Sequence, residues 1–343
     1  MRLSSTKENS LPEKPDNKDM DILAAIAKPV EEEMQAFNSL FKEVLHGHSK
    51  DFQFMIDYVS ESDGKKIRPL IVLLSAKACN QINEKTMNYA VVLELLHSAT
   101  LIHDDVVDNT KERRGRPSIN AKYDNRFAVL LGDYFLSIAI VRAAMSQSLP
   151  IIETISRLAL YLADGELSQL THSWDVLMDE KAYFEIIRKK TAVLFSACAE
   201  MGALSASAHI DMIEKMRLFG EYAGMCFQIK DDIFDFFEQG ELGKPTGNDI
   251  KEGKITLPLI YALNKVSLDK TALLRDMIKN QDFKEENIHT LIDFAIHNHG
   301  IAYAQEKMQE IKQKALHLLE DFPDTEAKKS LCDLIEYIIE RNK

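Results

Sequence analysis

Two stretches of this chain share one acidic pattern: His103-Asp104-Asp105-Val106-Val107-Asp108 and Lys230-Asp231-Asp232-Ile233-Phe234-Asp235. Each D-D-x-x-D follows an apolar run, Ala99-Thr100-Leu101-Ile102 before the first and Met225-Cys226-Phe227 before the second. Residues four apart are neighbours on a helix, so Asp104 and Asp108 share a face, as do Asp231 and Asp235. Carboxylates on a largely buried helix face are costly unless a cation neutralises them. Hard oxygen ligands suit Mg²⁺, which is typically held by one or two carboxylates plus substrate phosphates rather than by an all-protein cage. A single cluster of this kind is ordinarily a solvated acidic turn. Two in apolar surroundings point instead to facing helices that grip a metal-bound diphosphate.

The rest of the chain is built for helices. Its 343 residues include 13 Gly and 9 Pro, where average usage gives about 24 and 17. No series of short, alternating β-branched segments separated by turns is present, so a sheet is not expected. The expectation is an all-α fold, a single-domain bundle of long helices. A net charge of −12 argues against nucleic acid and against more than peripheral membrane contact. Cys79, Cys198, Cys226 and Cys332 have no C-x-x-C spacing and read as reduced core residues of a cytoplasmic protein. No uninterrupted apolar run reaches the ~18 residues of a span, and the N-terminus lacks an apolar h-region, so neither a span nor a signal peptide is expected.

Residues 1–20 are polar, carry Pro12 and Pro15, and read as a disordered extension; residues 21–343 read as one all-α catalytic domain. Helices are expected from near Arg68-Pro69, over about 85–108, 127–147, 151–173, 180–204 and 211–238, and through an amphipathic C-terminal region with a break near Pro323. Residues 111–117 form a basic loop, with Ser118 as the cap of the next helix, and 240–253 form a long glycine-containing loop.

Basic residues flank both clusters. Gly64-Lys65-Lys66-Ile67-Arg68-Pro69 places cations at a helix entrance, and Arg113-Arg114-Gly115 places two more just after Asp108. Arg offers a planar fork for bidentate phosphate contacts and Lys a point charge. His97 lies nearly two turns before Asp104 on much the same face. Lys190-Thr191, Gln228, Lys244 and Lys254 surround the second cluster in sequence.

The chain resembles the trans-type prenyl diphosphate synthases, long-chain type such as octaprenyl diphosphate synthase, from about residue 25 to its end. The matching stretches are G-K-K-I-R-P, E-L-L-H-S-A-T-L-I-H-D-D-V-V-D, R-R-G, G-D-Y, K-T-A, F-Q-I-K-D-D-I-F-D and G-K-P-T-G-N-D-I-K-E-G-K-I-T-L-P. One departure is Asp63, where many members carry a second glycine. The resemblance implies an isoprenoid-synthase bundle around a deep central cavity, usually a homodimer. It implies that Asp104, Asp105, Asp108, Asp231 and Asp235 hold Mg²⁺, about three ions per active site, on an allylic diphosphate, with Asp232 nearby. Arg113, Lys190, Thr191, Gln228 and Lys244 would contact the allylic group, with Lys254 in support. Lys65, Arg68, His97 and Arg114 would hold isopentenyl diphosphate.

Charge then dictates the chemistry. The metal and the cations draw electrons from the ester oxygen, and the allylic C–O bond ionises. Thr191, Gln228 and a backbone carbonyl are candidates to face the allyl cation. The isopentenyl double bond attacks C1, and a proton is lost to the released diphosphate. Product length should depend on the residues below the first cluster, counted back as Thr100, Ala99, Leu96 and Leu93. Relatives that stop at fifteen carbons are similar but carry an aromatic floor at positions matching 99 or 100. Here both are small, and the opposite helix offers Phe135, Ile138 and Ala139, with Ile155 and Leu158 as deeper candidates. One isoprene unit spans about one helix turn, so a product of about six to nine units is expected, as in quinone side chains. Geranylgeranyl diphosphate is the alternative. A class I terpene cyclase would lack the second D-D-x-x-D and the 64–68 motif, and a non-catalytic subunit would have eroded clusters.

Overall fold

The computed structural model describes residues 17–46, 50–61, 64–239, 244–245 and 247–341. Asp63 and residues 1–16 lie outside them, as does the Lys244 side chain. The described chain is helical almost throughout, from α1 (Asn17–Ala27), a 3₁₀ turn at Lys28–Val30, α2 (Glu31–Leu45) and α3 (Gln53–Ser60) to α4 (Ile67–Cys79) and α5 (Glu84–Val107). The hairpin β1 (Glu112–Arg113) and β2 (Arg116–Pro117) leads to α6 (Ile119–Lys122), α7 (Asn125–Met145) and α8 (Leu149–Thr171). Then come α9 (Glu180–Ile187), a π-helical turn at Arg188–Ala192, α10 (Val193–Ser205) and α11 (Ile210–Phe234). A second ribbon, β3 (Glu238–Gln239) with β4 (Lys244–Pro245), precedes α12 (Asn248–Lys251) and α13 (Leu257–Lys265). The chain closes with α14 (Leu268–Lys279), α15 (Glu285–His297), α16 (Gly300–Leu319) and α17 (Glu326–Glu340).

Local signals explain where the site-bearing helices begin. Asn83 and Thr86 cap α5 reciprocally, each side chain accepting from the other's backbone N–H. The Asp124 and Asp179 carboxylates cap α7 and α9, and Ser118 caps α6 as expected. Pro258 sits in the first turn of α13, where its missing N–H costs nothing. Helices α5 and α10 occupy the centre: Tyr89, Leu93 and Leu96 of α5 and Phe195, Cys198 and Met201 of α10 are almost wholly buried. A helix buried on every side needs no polar face, and on α5 the apolar residues before the first acidic cluster supply that burial. One hydrophobic core runs from Leu23 to Ile339.

Four expectations change. Helix α1 begins at Asn17, and Asp19 is already buried, so the N-terminal extension does not reach residue 20. The 111–117 loop is a hairpin. Its central pair Arg114 and Gly115 both have positive φ (54° and 72°), the twist that two-residue antiparallel turns demand. Helix α11 stops at Phe234 because Asp235 becomes its C-cap. The expected 180–204 helix is interrupted by the π turn that carries Lys190 and Thr191. A fifth feature concerns α7, which is long and apolar enough to cross a membrane by length and composition, with mean hydropathy 1.7 and 39% of that window buried. Scattered charges break its apolar run in the sequence, and only one side of it packs against the bundle.

Candidate active site

Helices α5 and α11 present their acidic ends to the same region, and both clusters divide in the same way. The middle aspartates, Asp105 and Asp232, are each 4% exposed, whereas Asp104, Asp108, Asp231 and Asp235 are half-buried. Helix geometry gives the reason: a residue one position on turns about 100° away, while i and i+4 stay together. Asp105 accepts from the Arg113 guanidinium at 2.7 and 2.8 Å. It does not line the large cavity beside Asp104. Both contacts fall on Oδ1, so in this structure the Asp105 carboxylate engages Arg113 rather than that cavity. Asp232 accepts from the Tyr183 hydroxyl at 2.6 Å and from Gln228 Nε2 at 2.7 Å, and Gln228 Oε1 accepts from Thr191 at 2.6 Å.

The outer aspartates differ more between the clusters. Burial, with Glu166 beside it, pushes the Asp104 carboxyl up to about 6 against the pull of Lys190. Asp108 ends α5, and Lys254 Nζ approaches it at 3.6 Å. On the facing side Asp231 is bound by Arg341 at 2.5 Å, with that guanidinium stacked 4.1 Å from the Phe227 ring centroid. Burial raises the Asp231 pKa while Arg341 opposes it. Both oxygens of Asp235 accept backbone N–H groups at the start of α12, from Asn248 at 2.9 Å and Asp249 at 3.0 Å. Burial pushes Asp232 up, and it pushes the neighbouring Asp249 well above the ordinary range with Asp232 and Asp235 adding to it.

The cations are held in register. Lys190 Nζ reaches Glu166 at 2.9 Å and Gln169 at 2.6 Å. The π turn approaches α8 closely enough that a Cβ at Gly165 would stand 2.7 Å from the Lys190 nitrogen, so only glycine permits this seat. For Lys254, burial lowers the pKa but the bond to Glu252 and the Asp108 charge outweigh it, and the net shift is upward. Lys244 has its backbone paired with Gln239 in the second ribbon.

Of the four residues assigned to isopentenyl diphosphate, Arg68, His97 and Arg114 gather together, whereas the Lys65 ammonium turns to Asp19 and Tyr337. The Arg114 guanidinium lies against Gly64, 2.6 Å from where a Cβ would stand. Arg68 is half-buried, its buried Nε has no protein hydrogen bond, and its guanidinium lies 5.1 Å from the Phe195 ring centroid. His97 is buried, and desolvation, with Arg68 and Arg114 beside it, holds its pKa well below the ordinary imidazole value. It is neutral at pH 7. Lys65 Nζ lies 3.3 Å from Asp19.

A cavity of about 460 Å³ descends from this region. Arg68, His97, Asp104, Lys190, Thr191, Phe227 and Gln228 line its head, and Leu96, Ala99, Thr100, Leu136, Ala159, Leu162 and Ala163 line its depth. A smaller polar cavity of about 110 Å³ shares Lys190, Thr191 and Gln228 with it and adds Tyr183, Asp232, Asp249 and Lys254. Phe135, expected on the wall, is fully buried in the core; its neighbour Leu136 faces the cavity instead, one helical position round. Ile138, Ala139, Ile155 and Leu158 are likewise absent from the lining, which α8 supplies through Ala159, Leu162 and Ala163. Sequence reasoning also missed Tyr183, Glu166, Asp249 and Arg341. Asp249 lies inside the quoted G-N-D-I-K-E-G-K stretch and could have been singled out; Tyr183 carries no signal beyond an aromatic on an amphipathic helix.

The residues fit a divalent cation bound together with a diphosphate. Among the described residues no three acidic, His or Cys side chains converge to hold an ion by themselves. A raised Asp104, Asp108 beside it and Asp231 opposite leave oxygen donors to be completed by phosphate.

The family model described as polyprenyl synthetase matches residues 49–295. This chain belongs to that family. Its members are prenyl-transferring enzymes, and the synthase shares their all-α fold. It is 34% identical over 324 residues to heptaprenyl diphosphate synthase component 2 of Geobacillus stearothermophilus, covering 94% of this chain and 96% of that one. The solved polyprenyl synthase of Caulobacter crescentus CB15, complexed with calcium and isoprenyl diphosphate, superposes with TM-score 0.86 at 29% identity, covering 94% and 98% of the two chains. Geranylgeranyl pyrophosphate synthase of Bacteroides thetaiotaomicron superposes with TM-score 0.81 at 38% identity, covering 94% and 100%.

Proposed function

We propose that this synthase condenses an allylic diphosphate with isopentenyl diphosphate by metal-assisted ionisation, condensation and elimination. The proposed product is an all-trans polyprenyl diphosphate of about six to nine isoprene units, of the kind used in quinone side chains. The observation that carries this reading is the cavity under Asp104. Among the described residues that line it, the one Phe, Tyr or Trp is Phe227, at the head beside Gln228, and its depth is walled by alanines, a threonine and flexible leucines.

Asp104 and Asp108 on one side and Asp231 and Asp235 on the other would hold Mg²⁺, about three ions, on the allylic diphosphate. Bound there, the metal supplies Lewis acidity that favours departure of the diphosphate. The chain's own groups do the rest. Lys190, Lys254, Lys244 and Arg113 neutralise the leaving group, and Asp105 fixes Arg113 from behind. Thr191 and Gln228, locked to each other and to Asp232, turn oxygen dipoles towards the allylic carbon as charge develops there. Lys65, Arg68 and Arg114 anchor the isopentenyl diphosphate, with His97 neutral and able to hydrogen-bond rather than to add charge. The apolar depth excludes water from the cation.

A second reading, geranylgeranyl diphosphate, is favoured by depth: below Asp104 the lining contributed by α5 reaches to Leu96, about 12 Å at 1.5 Å per residue. Incubating pure protein with Mg²⁺, labelled isopentenyl diphosphate and farnesyl or geranylgeranyl diphosphate, then chromatographing the products, separates the two. Products of thirty carbons or more are expected; termination at twenty selects the second reading, and no elongation refutes both.

The partner we propose is a second copy of the chain. Leu130, Val141 and Met145 of α7 and Leu160, Leu167 and Leu170 of α8 are each more than half exposed, an apolar area that a lone soluble chain seldom leaves open. Activity and a dimeric mass for the chain purified alone support this, and a requirement for a different subunit would contradict it. Four free cysteines accord with the proposed cytoplasmic location.

A further inference from the structure

The first described helix touches the site from behind. Asp19 of α1 is 9% exposed, and its carboxylate faces the Lys65 ammonium at 3.3 Å. The Tyr337 hydroxyl of α17 donates to the same Asp19 oxygen at 3.4 Å. Lys65 also lies over the Tyr337 ring, 5.4 Å from its centroid. The ammonium is thus cradled between a carboxylate and an aromatic face, on a loop whose next residue, Lys66, already has positive φ (48°). The four-carbon stem of a lysine has many rotamers, and here two groups from distant parts of the chain hold the ammonium. Burial pulls the Lys65 pKa down, and Asp19 pulls it back up.

We infer that Asp19 is a positioning residue: it fixes the Lys65 ammonium for the homoallylic diphosphate, and it acts on that substrate alone. This rests on the reading of Lys65 given above. Asp19 does not line the cavity under Asp104, so the allylic substrate should not feel its loss. Asp19 borders a groove of about 910 Å³ between α1 and α17, so water can replace a shortened side chain there without leaving a buried void.

The test is a double-mutant cycle on the full chain: wild type, Asp19→Ala, Lys65→Ala and the pair, with KM measured for each substrate in turn. Asp19→Ala should raise KM for isopentenyl diphosphate about tenfold, the scale of one charge-assisted contact. Its kcat should stay within about threefold, with the allylic KM unchanged. In the Lys65→Ala background, Asp19→Ala should add nothing, because the interaction it supports is already gone. Asp19→Asn, which keeps shape and an acceptor for Tyr337, should fall between wild type and Asp19→Ala. An unchanged isopentenyl KM, an equal shift of both substrates, or full additivity with Lys65→Ala overturns the inference. If Lys65→Ala itself leaves the isopentenyl KM untouched, the assignment of Lys65 falls first, and Asp19 with it.

Discussion

The two acidic clusters have the same spacing but different surroundings. In the second, every carboxylate meets a donor from the protein: Arg341 on Asp231, Tyr183 and Gln228 on Asp232, and two backbone N–H groups on Asp235. In the first, only the middle residue is so firmly held, by Arg113. Asp104 is left half-buried beside Glu166 with its pKa raised, and Asp108 has Lys254 at 3.6 Å. The second cluster is therefore a prepared wall. The first carries an electrostatic deficit that a divalent cation would relieve, and it stands over the apolar cavity. A motif fixes which faces the acids occupy, but the neighbours decide what each acid can do.

The contrast can be broken most directly at the outer positions. Asp104→Asn and Asp231→Asn should each lower turnover by at least about 100-fold at saturating Mg²⁺, the scale seen when a key electrostatic group is removed from a site. Near-normal rates in both would dissolve the pairing of the two walls. Asp105→Asn should act through Arg113, so its effect should be non-additive with Arg113→Ala in a kinetic cycle; additive losses would mean that Asp105 meets the metal after all.

Only the first cluster overlies the cavity, which gives a sharper test. Ala99→Phe should shorten the product, because that side chain faces the cavity. Phe135→Ala should leave product length unchanged while destabilising the core by about 3 kcal/mol or more. Chromatography of the products and thermal melts separate these outcomes.

Titration gives the next effect. The Asp104 pKa is about 6 in the fold against an ordinary 3.8, so the folded state holds its proton more tightly than the unfolded chain. The associated stability is fully present below about pH 4 and is lost as pH rises through about 6. Asp104→Asn should therefore stabilise the metal-free protein by up to about 3 kcal/mol above pH 6 and have no effect near pH 4. Denaturant melts at the two pH values check this, and equal effects at both would place Asp104 in water. The smallest expected change is Tyr183→Phe, which removes one hydrogen bond to Asp232 and should cost about 1–3 kcal/mol. No loss at all would mean that the second wall is not held as described.

Much of this was legible in the residues. Both acidic clusters, their helices, the Ser118 cap and the proline at the start of α13 obey local rules that act over a few residues. Placing Asp105 with Asp104 and Asp108 in the first motif took no account of the turn of about 100° between neighbours, which the second motif's reading, with Asp232 set apart, respected. Choosing Phe135 rather than Leu136 for the cavity wall was an error of one helical position, and only tertiary packing resolves such a choice. The π turn under Lys190, the reach of Arg341 from the C-terminus and the contact of Asp19 with Lys65 join segments far apart in the chain. No spacing rule encodes them.

The most direct test is a crystal of the enzyme with Mn²⁺ and a non-hydrolysable allylic diphosphate analogue, examined by anomalous scattering. Metal peaks are expected to bridge the analogue to Asp104 and Asp108 on one side and to Asp231 on the other, with Asp105 still on Arg113 and Asp232 on Tyr183. Peaks coordinated by Asp105 or Asp232, or metal bound away from both helices, would contradict the division of labour between inner and outer aspartates.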